Sequence, residues 1–307
     1  MQLRARNVNN YDLYANHAWY VPGVRGMFSL LGMFLLGNIM GILVTSVMAL
    51  FMSPQALMNY GTLVVYPLSF LPPMVYAANK STRNSLFEAG YKLNSSHFGP
   101  FKVWQLALIT VALTFSYSIV ADLPNYLNYK LTTSVSWMNS FYESVKAMLD
   151  QMTGGPLWSS FLLAAVFAPV FEEWLCRGMV LRGLLTKMKP VWAIVISALF
   201  FALIHMNPWQ ALNAFGMGVI MGYVYYKSGS LLLTMLIHFV NNATAVFVSQ
   251  FTSQASDMYF FEMMDRSTYV LVYIAGLAVM AACIIAFKRI PLEQKRGNVD
   301  VVEIKVD

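Results

Sequence analysis

The chain has 307 residues, of which 58% are hydrophobic and only 11% charged, where about 25% charged is usual for a soluble globular domain. That balance excludes an ordinary soluble fold and describes an integral membrane protein resting in a lipid bilayer. The net charge of +6 suits basic loops facing anionic lipid and calls for no nucleic acid, and Cys176 and Cys283 form neither a disulfide framework nor a metal knuckle.

Residues 1–25 carry Arg4, Arg6 and Asp12 among Asn and Tyr and lack the apolar core of a secretory signal, so this segment is expected to stay in the cytoplasm. About eight apolar runs are then long enough to cross a ~30 Å hydrocarbon core as helices. The first three lie near 26–52, 55–77 and 103–121. A long external loop, 122–155, follows, and within it Trp137, Phe141, Val145, Met148 and Leu149 recur at helical spacing opposite Asn139, Glu143 and Lys146. That pattern predicts a helix lying on the membrane surface, serving as a rest or as a lid. The remaining runs lie near 156–176, 190–206, 209–226, 230–251 and 267–288, and a polar tail, 290–307, closes the chain. Gly37 with Gly41, and Gly218 with Gly222, sit four apart inside runs, a spacing that lets helices approach closely. Gly216 opens a Gly-x-Gly pattern, but no strand precedes it, so it is no dinucleotide fingerprint.

If each run crosses once, Lys130, Lys146 and Arg266 fall on one side, and the other 17 of the 20 Lys and Arg fall opposite. The positive-inside rule makes that richer side cytoplasmic, which predicts cytoplasmic N- and C-termini and a multi-pass protein, expected in a bacterial inner (plasma) membrane. The predicted fold is an all-α polytopic membrane protein: segment 1–25, a transmembrane domain over 26–289, and a cytoplasmic tail.

Of the 14 acids, only Glu172 and Glu173 fall within the predicted spans. His17 and His97 lie in polar segments, whereas His205 and His238 lie in apolar ones. An acid at the centre of a spanning helix carries a penalty of ~2.5–3.5 kcal/mol, so these two must be compensated or used. Glu173 and Arg177 are four apart in the favourable acid-before-base order, which predicts a buried, structural ion pair. Glu172 is turned ~100° away and left unpaired, as suits a general base. Phe201 precedes His205 by four, and His238 precedes Asn242 by four, so each pair shares a helix face. Such a set can do carbonyl chemistry, the carboxylate deprotonating water and the imidazole and amide groups stabilising the oxyanion. Glu172, His205 and His238 could equally ligate a divalent metal such as zinc, and the residues alone leave both arrangements open.

Glu172-Glu173-x-x-x-Arg177, Phe201-x-x-x-His205 and His238-x-x-x-Asn242, in that order on successive apolar segments, resemble the CPBP family of intramembrane proteases. That family includes the type II CAAX prenyl endopeptidases and the Abi proteins associated with bacteriocin self-immunity. The resemblance covers a catalytic core at 156–251. It implies an endopeptidase acting on a membrane-associated protein or peptide, as in CAAX-type processing or peptide maturation. Glu172 would activate water, with His205, His238 and Asn242 as further catalytic groups. Other intramembrane proteases fit poorly, there being no His-Glu-x-x-His, no Asp in a predicted span and no Gly-x-Ser-Gly. The alternatives are a proton- or metal-coupled transporter, in which an acid and two histidines form a relay, and a non-catalytic membrane immunity or partner protein.

Simple crossing puts His205 ~22 Å beyond Pro190 at 1.5 Å per residue, with Glu172 near a helix end. A shared site therefore requires the helix that begins at 156 to run on to 185. It also requires the His205-Met206-Asn207-Pro208-Trp209 turn to lie buried in protein at membrane depth. A water-filled, cytoplasm-facing cavity would then hold Glu172, His205, His238 and Asn242.

Overall fold

The computed structural model describes residues 20–81, 98–153, 155–251 and 259–291. The expectations for most of 1–25 and of the tail 290–307, and for His17 and His97, lie outside the described residues. The described residues form helices and no strands: α1 Val24–Met48, α2 Pro54–Asn79, α3 Val103–Thr133, α4 Ser136–Thr153, α5 Leu157–Leu185, α6 Pro190–Ile204, α7 Pro208–Ser228, α8 Leu231–Phe251, α9 Phe260–Met263 and α10 Arg266–Lys288. The chain is an all-α polytopic membrane protein.

Six of these helices, α1, α2, α3, α5, α8 and α10, are long and apolar enough to cross a membrane. The other two expected spans are α6 and α7. With 15 residues, α6 reaches ~22 Å and falls short of a ~30 Å core. The 21 residues of α7 include Gln210, Asn213 and Lys227, which dilute its apolar character, and it packs between α6, α3 and α8.

Glycines set the close approaches. A Cβ at Gly37 would lie 2.3 Å from the Ser69 carbonyl oxygen, and one at Gly41 would lie 2.8 Å from Val65 Cγ1, so α1 and α2 pack backbone to backbone. Gly218 meets Ala198 and Gly222 meets Ile194 in the same way, joining α7 to α6. Ser53 caps α2 by accepting from the Ala56 N–H at 3.2 Å, with Pro54 in the first turn. Cys176 and Cys283 are both free and buried.

Two expectations change. The third span does not stop at 121: α3 runs through Pro124 to Thr133, shortening the expected external loop and placing a third acid, Asp122, inside a helix long enough to cross a membrane. Asp122 is buried and fully engaged. Its two carboxylate oxygens accept from the Phe260 and Phe261 N–H groups at 2.9 and 3.0 Å, and Oδ2 accepts from the Tyr269 hydroxyl at 3.2 Å, so the acid ties α3 to the start of α9 and to α10. The turn 205–209 is only partly buried: Asn207 lies inside, whereas Met206 is 57% exposed.

The amphipathic pattern over 137–149 does form a helix, α4. Trp137 is exposed, while Phe141 and Tyr142 rest on Trp209 with ring centroids 5.1 and 5.3 Å apart. The run beginning at 156 also continues, as the depth of the histidines required, to Leu185 in one helical stretch. Within α5, Leu162–Phe167 and Trp174–Leu181 are π-helical and flank the α-helical Ala168–Glu173. Single π turns inside α-helices occur often at functional sites.

Candidate active site

Glu172 lies thirteen residues before Leu185, ~20 Å along α5. His205 terminates α6, where the chain turns through Met206 at φ +50° and restarts α7 at the Asn207 cap, whose side chain accepts from the Trp209 N–H at 3.1 Å. A left-handed methionine is uncommon, and the turn it makes brings the end of α6 back toward the bundle. His238 is the eighth residue of α8, ~10 Å from its start. Three helices thus bring Glu172, His205 and His238 together.

Glu172 Oε2 stands 3.9 Å from Nε2 of His205 and 3.9 Å from Nε2 of His238. It is buried and makes no hydrogen bond. Oε1 accepts a hydrogen bond from the hydroxyl of Tyr66, on α2. Each ring is held from behind. His205 Nδ1 lies 2.7 Å from the Phe201 carbonyl, and His238 Nδ1 lies 3.1 Å from Glu173 Oε1. A carbonyl and an ionised carboxylate can only accept, so each Nδ1 carries the hydrogen, and in the tautomer with the hydrogen there alone each ring turns an Nε2 lone pair toward Glu172. The carboxylate oxygen and two imidazole nitrogens are therefore three acceptors facing one another.

The ion pair expected from spacing is present and fully buried, with Arg177 Nη1 2.6 Å from Glu173 Oε1. Arg177 also donates to the Gly218 carbonyl at 3.3 Å and lies over the Phe201 ring, 4.3 Å from its centroid. Phe201 in turn sets its ring edge-on to both imidazoles, at 4.7 Å from His205 and 5.6 Å from His238. Asn242 is engaged with α5, its Nδ2 donating to the Ala164 carbonyl at 2.8 Å within the first π-helical segment, while its Oδ1 accepts from Asn241 at 3.0 Å. It joins α5 to α8 and makes no hydrogen bond to Glu172, His205 or His238.

One carboxylate and two imidazoles suit zinc in kind. A tetrahedral zinc with bonds of about 2.0–2.1 Å holds its ligand atoms about 3.3 Å apart, and the 3.9 Å separations are wider. Among the described residues no three His, Cys, Asp or Glu are arranged to hold an ion. As arranged, Glu172, His205 and His238 stand too far apart for a tetrahedral zinc.

An open groove of about 650 Å³ lies along α5 and α8, lined by Leu157, Trp158, Phe161, Leu162, Val166 and Phe247. It is apolar, and none of the four candidate residues lines it, so it is not the polar cavity expected from the sequence.

Spacing could not find Tyr66. It sits more than a hundred residues before Glu172, in an apolar run with other tyrosines, and nothing local marks it. The joint role of Phe201, facing a guanidinium and edging two imidazoles, was likewise invisible, although its spacing from His205 was clear.

Residues 154–244 match the family model described as type II CAAX prenyl endopeptidase Rce1-like. No curated protein and no solved structure matches the chain. The matched stretch contains Glu172, Glu173, Arg177, His205, His238 and Asn242 and leaves out α1 to α3. Residues 154–244 are thus similar to the Rce1-like, type II CAAX prenyl endopeptidase family.

Proposed function

We propose that the protein is an intramembrane endopeptidase that hydrolyses a peptide bond of a membrane-associated protein or peptide, in CAAX-type processing or peptide maturation, with Glu172 as the base. The observation that carries this reading is Glu172 Oε2, buried, without a hydrogen bond, and 3.9 Å from both imidazole Nε2 atoms. A water set between these three acceptors can donate one hydrogen to Oε2 and the other to an Nε2.

The water passes a proton to Oε2 as its oxygen attacks the scissile carbonyl, giving a tetrahedral oxyanion. The Glu173 carboxylate behind Nδ1 fixes His238 in the tautomer whose Nε2 accepts the water's second hydrogen and so aims the attacking oxygen. As the C–N bond breaks, the proton held by Glu172 goes to the leaving amine nitrogen. His205 is held in one tautomer by the Phe201 carbonyl and orients the water. Asn242 holds α5 against α8 and keeps an N–H for the oxyanion.

The test uses purified protein in lipid vesicles with a CAAX-type peptide, farnesylated in one arm and unlipidated in the other. Membrane peptides from cells with wild-type and Glu172→Ala protein are compared by mass spectrometry. Wild type is expected to release the C-terminal fragment, and Glu172→Ala and His205→Ala to lower turnover by ~10²–10⁴ while remaining folded and inserted. A zinc chelator is expected to leave wild-type turnover unchanged, since 3.9 Å separations are too wide for a shared tetrahedral zinc. Retained turnover in Glu172→Ala would remove the base assignment, and activity lost on chelation and regained with zinc would make Glu172, His205 and His238 ligands.

A further inference from the structure

We infer that Tyr66 is a positioning residue of the catalytic site: its hydroxyl engages Oε1 of Glu172 and so selects Oε2 as the oxygen that takes the proton from water. This inference rests on the proteolytic reading above. A carboxylate has two equivalent oxygens and rotates about its last bond, so a base aimed at one point needs something to fix it. On Glu172 one oxygen accepts from Tyr66, and the other, buried and unbonded, faces both imidazoles.

Tyr66 belongs to α2, outside the matched stretch 154–244, so the α1–α2 hairpin supplies part of the site. Its position is built in from both sides. Gly41 meets Val65, and Gly37 meets the Ser69 backbone, so the close approaches of α1 and α2 bracket Tyr66. Its ring packs on Phe70 at 5.4 Å. Phe70 stacks on Phe171, the residue before Glu172, also at 5.4 Å, and packs on Phe34 of α1 at 5.2 Å. A chain of rings therefore carries the placement of α2 to the catalytic turn of α5. A tyrosine needing only to satisfy its hydroxyl would have no need of one particular carboxylate oxygen.

The test is Tyr66→Phe, alone and combined with Glu172→Ala, in the full-length protein. Turnover is measured on the farnesylated CAAX-type peptide, and melting temperature by intrinsic fluorescence. Tyr66→Phe is expected to lower kcat about 10–100-fold with KM little changed, since a hydrogen bond to a charged group that shapes only the reacting geometry is lost. Its melting temperature is expected to fall when Glu172 is present and to fall much less in the Glu172→Ala background, because the two changes remove one shared interaction. If Tyr66→Phe does not accumulate, abundance replaces melting temperature, and the double variant is expected to accumulate better than the single.

Full kcat in a folded Tyr66→Phe protein overturns the inference. So does an equal loss of stability or abundance with and without Glu172. A wild-type protein that cleaves neither peptide would sink the proteolytic reading instead, and the stability cycle would still report whether Tyr66 and Glu172 are coupled.

Discussion

Arg177 holds three things at once: the Glu173 carboxylate at 2.6 Å, the Phe201 ring at 4.3 Å and the Gly218 carbonyl at 3.3 Å. Through Glu173 it bears on His238, and through Phe201 on both imidazoles. Replacing it leaves a carboxylate buried without its counter-charge, a loss of ~3–5 kcal/mol. Arg177→Ala is therefore expected to lower the amount of protein in membranes as well as turnover. Adding Glu173→Gln removes the stranded charge and should restore abundance. Turnover should stay low, because His238 then lacks its anionic partner. Quantitative immunoblots of membrane fractions, paired with peptide cleavage, check both halves. Abundance that stays low in the double variant would assign the weight of Arg177 to Phe201 and Gly218. The pairing of Glu173 with Arg177 was readable from a four-residue spacing because both lie on one helix. The bond from Tyr66 to Glu172 was not, because it joins two helices and has no period along the chain.

Helices meet in α1 and α2 at a distance only glycine permits. Any side chain at Gly37 runs into backbone atoms of Ser69, at 2.3 to 2.8 Å, and backbone cannot move aside as a flexible side chain can. Gly32, on the same helix, has nothing within 4 Å of where a Cβ would stand. Gly37→Leu is expected to part the two helices, carry Tyr66 off Glu172 and lower kcat at least tenfold, with a stability loss of ~1–3 kcal/mol as for overpacked cores. Gly32→Leu should leave kcat unchanged. Equal turnover in the two variants would show that the spacing of α1 and α2 has no bearing on the site. The small-residue spacing of Gly37 and Gly41 revealed a close contact in the sequence but not what it positions. The apolar run 103–121 stops short of the end of α3 for a related reason: Asp122 finds its partners on α9 and α10, far along the chain.

Among the described residues, six helices are suited to crossing, and a pair, α6 and α7, need not cross fully. Either count is even, so both predict termini on one side, and the 17 basic residues grouped by single crossing would make that side cytoplasmic. The counts differ at the turn after His205, which reaches the far surface only if α6 spans. At ~22 Å, α6 is too short for a ~30 Å core. Met206→Cys is therefore expected to resist a membrane-impermeant thiol reagent from either face, while Trp137→Cys on α4 reacts from the external face. Cys176 and Cys283 are buried and give little background. Rapid external labelling of Met206→Cys would instead carry α6 across the bilayer. Fold class was plain in the composition, because so few charges leave a chain this long no other way to bury itself. The number of crossings was less plain, since hydropathy along a run does not say where a half-length helix stops.

A π turn holds one residue more than an α turn, so α5 is out of step with a plain helix both before and after its two glutamates. Counting residues along the helix thus matters as much as which residues are counted. Deleting a residue within Leu162–Phe167 could be absorbed as that segment relaxes to α-helical winding, whereas deleting one within the α-helical residues 168–171 would rotate one part of α5 against the other by ~100°. The bundle holds α5 through Leu175, Met179 and Leu181, all fully buried. The rotation would then fall on the entrance half of the helix, taking the Ala164 carbonyl away from Asn242. The chain thus carries in α5 a frame, set by the number of residues between its two π-helical segments, that no substitution could restore once lost.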